Sequence, residues 1–271
     1  LTLTGDLAPT DVLWSAAASA TVPLVEPVAV TAGIGSSARA PEPLERFGDR
    51  MGSTRTQRGN EFMGNPTLDP ERTYQADLGL DVATPRFNGS VNGFVRYHDD
   101  YITIVPAPAV ASALPLTPDL VFGYTNGQAT FWGAEADAQA EVHPTLRVRA
   151  SAEYLWGRDE SFDEDEPAYG VMPAQARLGA RWMPLEGPFF LDGTLRAVAE
   201  QTRVATVDLA AGTQLLGRVD LRVGVNNVFD ATYREHLNAR AVRFDALSAE
   251  QDRTFVPEPG RSIFVRVQYG F

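Results

Sequence analysis

The sequence predicts an all-β fold, an antiparallel transmembrane β-barrel, on three observations. Segments throughout the 271 residues alternate apolar and polar side chains, and an extended strand sends alternate side chains to opposite faces. Many of these segments exceed the ~6 residues usual in soluble sheets and carry Trp or Tyr near their ends, as the interfacial girdles of a barrel require. The connections between them are short on one side and long on the other, the asymmetry of barrels that cross an outer membrane. Periodicity alone leaves a soluble β-sandwich open, since its strands alternate too.

Composition narrows the classes further. A formal charge of −12 with no clustered basic run argues against nucleic acid, which needs a concentrated cationic face. The absence of Cys excludes a disulfide scaffold and thiolate metal sites. No apolar run reaches the ~18 residues of a membrane helix, whereas a barrel crosses lipid with alternating segments of ~10. No signal peptide opens the chain, so an exported protein of this kind is expected to extend beyond Leu1.

Taken in order, residues 11–24 and 28–41 read as two small-residue strands joined tightly at Val25 to Pro27. Residues 43–70, dense in Gly, Asn, Arg and Pro and without a period, read as a loop. Tyr74, Ala76, Leu78, Leu80 and Val82 form the next stripe, and Val91, Val95 and Tyr97 follow a turn at Arg86 to Gly89. Pro106 to Pro118 is too proline-rich for a helix or central strand and reads as a second loop. Trp132, Ala134, Ala136, Ala138, Ala140 and Val142 oppose Glu135, Asp137, Gln139 and Glu141, and Leu146 to Trp156 repeats the pattern after His143-Pro144-Thr145. An acidic loop, 158–167, precedes the stripe Ala176, Leu178, Ala180 and Trp182. Val207 to Leu215 and Val219 to Val225 flank a turn at Leu216 to Arg218. The last strand carries Ile263, Val265, Val267, Tyr269 and Phe271 on one parity, and only Phe264 interrupts the polar one.

Several ordered motifs resemble TonB-dependent outer-membrane receptors. They are Ser37-Ala38-Arg39-Ala40-Pro41 with Leu44-Glu45-Arg46-Phe47-Gly48, then Gly64-Asn65-Pro66-Thr67-Leu68-Asp69-Pro70-Glu71-Arg72, Asp99-Asp100-Tyr101-Ile102, Asn126 and Gly133-Ala134-Glu135-Ala136. Val225-Asn226-Asn227-Val228-Phe229-Asp230 with Tyr233, and Pro257-Glu258-Pro259-Gly260-Arg261, complete the set. Their Asn, Asp, Pro and Gly residues suit turns and argue for the fold more than for a ligand.

The resemblance implies a bacterial outer-membrane protein in which a plug domain fills a barrel of ~22 strands. This chain corresponds to the C-terminal half of that barrel, about 12 strands, without the plug. An open half-barrel leaves two edges unpaired in lipid. At Ala199 to Thr206 about three residues, Gln201 to Arg203, are expected to reverse the chain where the family has a long outer loop. The sequence therefore reads as a truncated or discontinuous version of a longer protein. The implied function is active uptake of a metal chelate such as an iron–siderophore, with the TonB complex acting through the plug. Copper uptake, or a passive pore without energy coupling, is the alternative. Implied partners are the barrel-assembly machinery, for which Tyr269 and Phe271 form the insertion signal, outer-membrane lipid and lipopolysaccharide.

Candidate chemistry concentrates in the 43–70 loop. Met51 and Met63 offer soft thioether ligands suited to copper, and Arg46, Arg50, Arg55 and Arg58 could attract an anionic chelate. Solvated loop charges are the plain alternative for those arginines. Gly33-Ile34-Gly35-Ser36-Ser37-Ala38 fits a dinucleotide pattern, but Pro41 and Pro43 leave no helix to receive a pyrophosphate. His98, His143 and His236 lie far apart with no hydrolase or zinc motif. The acidic run at 159–166 lacks the spaced ligands of a calcium loop. No catalytic residue and no cofactor are expected, and no metal-ligand set is assigned.

Overall fold

The computed structural model describes residues 10–49, 51–52, 61–111, 113, 121–161, 166–168, 170–199, 204–215, 217–234, 240–242, 253–255 and 257–270. Eleven long strands pair antiparallel in one continuous path: β1 (Ala16–Val25), β2 (Val28–Arg39), β5 (Glu71–Ala83), β6 (Phe87–Pro106), β7 (Val121–His143), β8 (Leu146–Asp159), β10 (Gln175–Trp182), β11 (Phe189–Val198), β12 (Val204–Leu215), β13 (Val219–Asn226) and β16 (Ser262–Tyr269). Short strands β3 (Met51–Gly52), β4 (Glu61–Met63) and β9 (Glu166–Pro167) attach beside this path, and β14 (Arg240–Val242) pairs with β15 (Arg253–Phe255) apart from it. β1 and β16 are the two edges of the sheet.

Connections alternate as expected. β1–β2, β5–β6, β7–β8, β10–β11 and β12–β13 are joined by 26–27, 84–86, 144–145, 183–188 and 216–218; the opposite end carries 40–70, 107–120, 160–174 and 227–261. Only 199–203, between β11 and β12, is brief on the long side, and the expected reversal at 201–203 lies outside the described residues. The sheet meets hydrocarbon with its apolar stripes. Ile263, Val265 and Val267 are 75%, 66% and 65% exposed, and Leu78, Leu178, Leu191 and Leu209 stand out likewise. In a soluble protein this area would have to be covered; here lipid is the solvent.

Aromatics mark the two boundaries of that band. Tyr74, Trp132, Tyr154 and Trp156 are exposed toward the long connections, with Trp132 packed 5.3 Å from Tyr154 and 5.9 Å from Trp156. Phe87, Trp182, Phe189 and Tyr269 are exposed toward the short turns. On β8, Trp156 and Leu146, the partner of Trp182, are ten residues apart. At ~3.4 Å per residue and a tilt of ~40° they are separated by roughly 26 Å along the membrane normal, close to the ~25 Å band of an outer-membrane barrel.

The 43–70 segment departs from the sequence expectation of an irregular loop. It holds a five-residue helix, α1 (Pro43–Phe47), with a capping box between Glu42 and Glu45 and Pro43 in its first turn. β4 joins β7 in parallel, Phe62 opposite Phe122 with rings 5.7 Å apart, a long-range pairing that no local period announces. β1 also begins later than expected, at Ala16, because Asp11 is held by Arg46 and Trp14 lies under the Arg72 guanidinium.

Candidate functional site

The long-connection end of β2, β5, β6 and β7 is an ordered rim, built around two carboxylates and one arginine. Arg46 on α1 is 6% exposed. It donates to both Asp11 carboxylate oxygens, at 2.6 and 2.8 Å, and to the Leu68 carbonyl at 2.8 Å. Its hydrogen bonds and charge hold the Asp11 carboxyl below its ordinary range, and Asp11 raises the guanidinium in turn. The expectation placed Arg46 in ligand capture; its guanidinium is occupied with protein partners that pin the segment before β1 to the segment before β5.

Gly64 explains why that junction closes so tightly. Its amide donates to the Gly48 carbonyl at 2.7 Å, and a Cβ there would lie 2.6 Å from both the Arg46 carbonyl carbon and the Gly48 nitrogen. Asn65 donates to the Tyr124 carbonyl at 3.0 Å and accepts from the Thr67 amide, while its own amide reaches the Glu45 carbonyl at 2.8 Å. Asn126 completes the clamp, donating to the Asp69 and Asp100 carbonyls and accepting from the Asp69 amide. Asp100 is the extra residue of a bulge in β6 and sits at φ 54°.

The second carboxylate, Glu71, faces inward. It accepts from Arg39 at 3.1 Å, from His98 Nδ1 at 3.0 Å and from the Ile102 amide at 3.4 Å, and Arg39 also donates to Glu45 at 2.8 Å. A carboxylate only accepts, so Nδ1 carries the hydrogen in this contact. His98, Tyr101 and Phe131 meet edge to face, with centroids 5.3 to 6.1 Å apart. Beside them Thr103 donates to Asp159 at 2.7 Å.

Of the other expected site residues, Met51, Met63 and Tyr269 are among those described. The register sets Met51 opposite Phe62 and Met63 opposite Gly123. Glu61, next to Met63 in the same ribbon, is fully buried and accepts from the Ala113 amide at 2.8 Å. Arg50, Arg55, Arg58 and Phe271 lie outside the described residues, as does His236; Tyr269 closes β16 in the turn-side aromatic band. Among the described residues no cluster of three or more His, Asp or Glu could hold a metal. Asp11 and Glu61 were not singled out from sequence; their partners Arg46 and Ala113 lie 35 and 52 residues away, and no local pattern signals such a pairing.

The family model for the TonB-dependent receptor-like β-barrel matches residues 3–228. The chain belongs to the TonB-dependent receptor β-barrel family. As in that family, it forms an outer-membrane barrel wall. A curated relative, the ferripyoverdine receptor of Pseudomonas aeruginosa, is 25% identical over 188 residues, 62% of this chain and 23% of the receptor. Among solved structures, the copper transporter OprC is 25% identical with a TM-score of 0.79, over 96% of this chain and 40% of OprC. The siderophore receptor PirA from Pseudomonas aeruginosa is 19% identical with a TM-score of 0.66, over 95% of this chain and 42% of PirA, a likeness of fold. The chain thus spans less than half the length of the TonB-dependent receptors it matches.

Proposed function

We propose that this chain is the C-terminal part of the barrel of an outer-membrane active transporter that takes up a metal chelate, an iron–siderophore being the leading cargo. The observation that carries the reading is the family match over 3–228, on a sheet whose exterior is apolar between aromatic bands. A plug domain elsewhere in the same receptor fills the lumen and couples to the TonB complex. The rim around Arg46, Asn126 and Glu71 holds the bases of the outer loops, and those loops with the plug capture cargo. Arg50, Arg55, Arg58, Met51 and Met63 remain candidates for that capture. The barrel-assembly machinery reads the Tyr269 and Phe271 end of β16, and lipid with lipopolysaccharide surrounds the wall.

Copper is the second reading, favoured by the likeness to OprC at 25% identity. The test measures accumulation of radiolabelled ferric siderophores and of copper in cells that express the full-length receptor, with and without a working TonB complex. TonB-dependent accumulation of iron supports the first reading and of copper the second. Accumulation that ignores TonB would leave a passive pore.

A further inference from the structure

Four phenylalanines interrupt the polar, inward parity of the wall strands: Phe94 on β6, Phe131 on β7, Phe190 on β11 and Phe264 on β16. Each stands directly across the ladder from a glycine, in the pairs Phe94–Gly133, Phe131–Gly157, Phe190–Gly212 and Phe264–Gly224. The rings lie down on those glycines. A Cβ on Gly133 would come within 2.7 Å of the Phe94 ring, one on Gly157 within 2.5 Å of Phe131 and one on Gly224 within 2.6 Å of Phe264, and the Phe190 ring takes the same place over Gly212. All four glycines are buried, while their neighbours along each strand are exposed or half-buried. Two of the rings are held from the other side as well, since Arg96 lies 4.5 Å from the centroid of Phe94 and Arg181 4.5 Å from that of Phe190. These contacts join neighbouring strands of this chain, so they do not depend on what else occupies the lumen.

Three of the four pairs bridge strands connected at the long end: β6 and β7 through 107–120, β11 and β12 through 199–203, and β13 and β16 through 227–261. The fourth, Phe131–Gly157, lies at the end of the β7–β8 hairpin opposite its turn at 144–145. A tight turn sets the register of its hairpin, whereas a long connection leaves it open. Alternation between lipid and lumen closes only half of that freedom. A slip of one residue would turn the outward stripe inward, but a slip of two keeps every side chain on its own face. On β13 and β16 such a slip sets Phe264 against Arg222 or Asn226, and Gly224 against Arg266 or Ser262. The ring then has no bare backbone to lie on, which only glycine offers.

We propose that the inward Phe–Gly pairs are register locks that reject the two-residue slips which alternation permits, and that Phe264 with Gly224 fixes the register of the last strand. The break that Phe264 makes in the terminal alternation thereby has a function of its own, separate from the chain end and independent of the cargo.

The test reads register in the full-length receptor, with no other Cys, by disulfide trapping in cells. Val223→Cys and Val265→Cys are directly opposite in the native ladder; Val223→Cys with Ile263→Cys, and Val225→Cys with Val265→Cys, become opposite only after a slip of two in one direction or the other. Opposed Cα atoms lie ~5 Å apart and diagonal ones ~7–8 Å, and a disulfide does not span more than ~7 Å. With Phe264 and Gly224 in place, only the first pair is expected to bridge efficiently. Phe264→Ala should raise bridging of the slipped pairs by up to about fivefold, the most that one cross-strand pair contributes. Gly224→Ala should raise it too and add little to Phe264→Ala. Gln268→Ala, on the same face but opposite Asp220, should leave it unchanged. Should Phe264→Ala not reach the membrane, Phe264→Leu, which keeps apolar bulk without a flat ring, takes its place. A rise below about twofold, whether or not assembly slows, would overturn the lock, because the ring would then bury surface without choosing a register. So would an equal rise with Gln268→Ala.

Discussion

Replacing Arg46 tests whether the rim is held by one guanidinium. Arg46→Gln removes a bidentate ion pair to Asp11 and a hydrogen bond to the Leu68 carbonyl. Breaking a buried pair by deleting one partner costs ~3–5 kcal/mol. Asp11 keeps 17% of its side-chain exposure, so water recovers part of its solvation and the lower end, about 3 kcal/mol, applies. That corresponds to roughly a 150-fold rise in local opening. The amides of Gly64, Asn65 and Leu68, bonded to Gly48, Glu45 and Asn65 respectively, report it directly. Hydrogen exchange followed by mass spectrometry on the full-length receptor should show them exchanging about two orders of magnitude faster in Arg46→Gln, with β10 and β11 unchanged. Exchange within threefold of the native protein would refute the assignment, since the segment would then be held by packing and backbone bonds alone. Asp11→Asn should do most of the same damage, and the double variant little more.

Three further outcomes follow from the same geometry. Because Arg46 holds the folded Asp11 carboxyl below its unfolded value of ~3.9, the pair contributes fully above that pH and is lost as pH falls through the folded value; exchange at Gly64 to Leu68, corrected for intrinsic rates, should stay flat from neutral pH to ~5, accelerate below ~4, and lose that step in Asp11→Asn. Gly64→Ala must move backbone and should destabilise the rim by ~1–3 kcal/mol, whereas Gly123→Ala, with its nearest atom 4.0 Å away, should leave exchange unaltered. Leu178→Arg puts a charge in mid-bilayer at ~2–4 kcal/mol and should lower the heat-modifiable, assembled fraction, while Arg177→Gln on the inner face should assemble normally.

What the sequence disclosed depended on whether two neighbours or distant segments decide a residue's place. The stripes at 74–82, 146–156 and 263–269 appear where alternation put them, because lipid and lumen act on each residue in turn. The Asn227 motif was legible as a turn, and the structure supplies the reason. Asn227 at φ 51° bonds both ways to Ala231 while its amide donates to Asp208, and Asp230 accepts the Arg261 amide. The rim was not legible. β4 has three residues and exists through its pairing with β7, and the role of Arg46 depends on Asp11, 35 positions earlier. The start of β1 was misplaced for the same reason. Trp14 looked like strand but lies under the Arg72 guanidinium at 4.3 Å, an attraction across the sheet surface.

The bulge at Asp100 gives β6 a change of phase. Below it the strand keeps step with the membrane; above it, one residue out of step, Tyr101 and Thr103 turn inward and the pair β6–β7 climbs on. From Trp132 to Val121 that climb is eleven residues, ~36 Å of ribbon standing clear of the outer aromatic band. A strand with no such slip would carry a single alternation of side chains from the membrane into the ribbon. With the slip, the projecting ribbon turns inward the opposite parity of residues from the embedded wall.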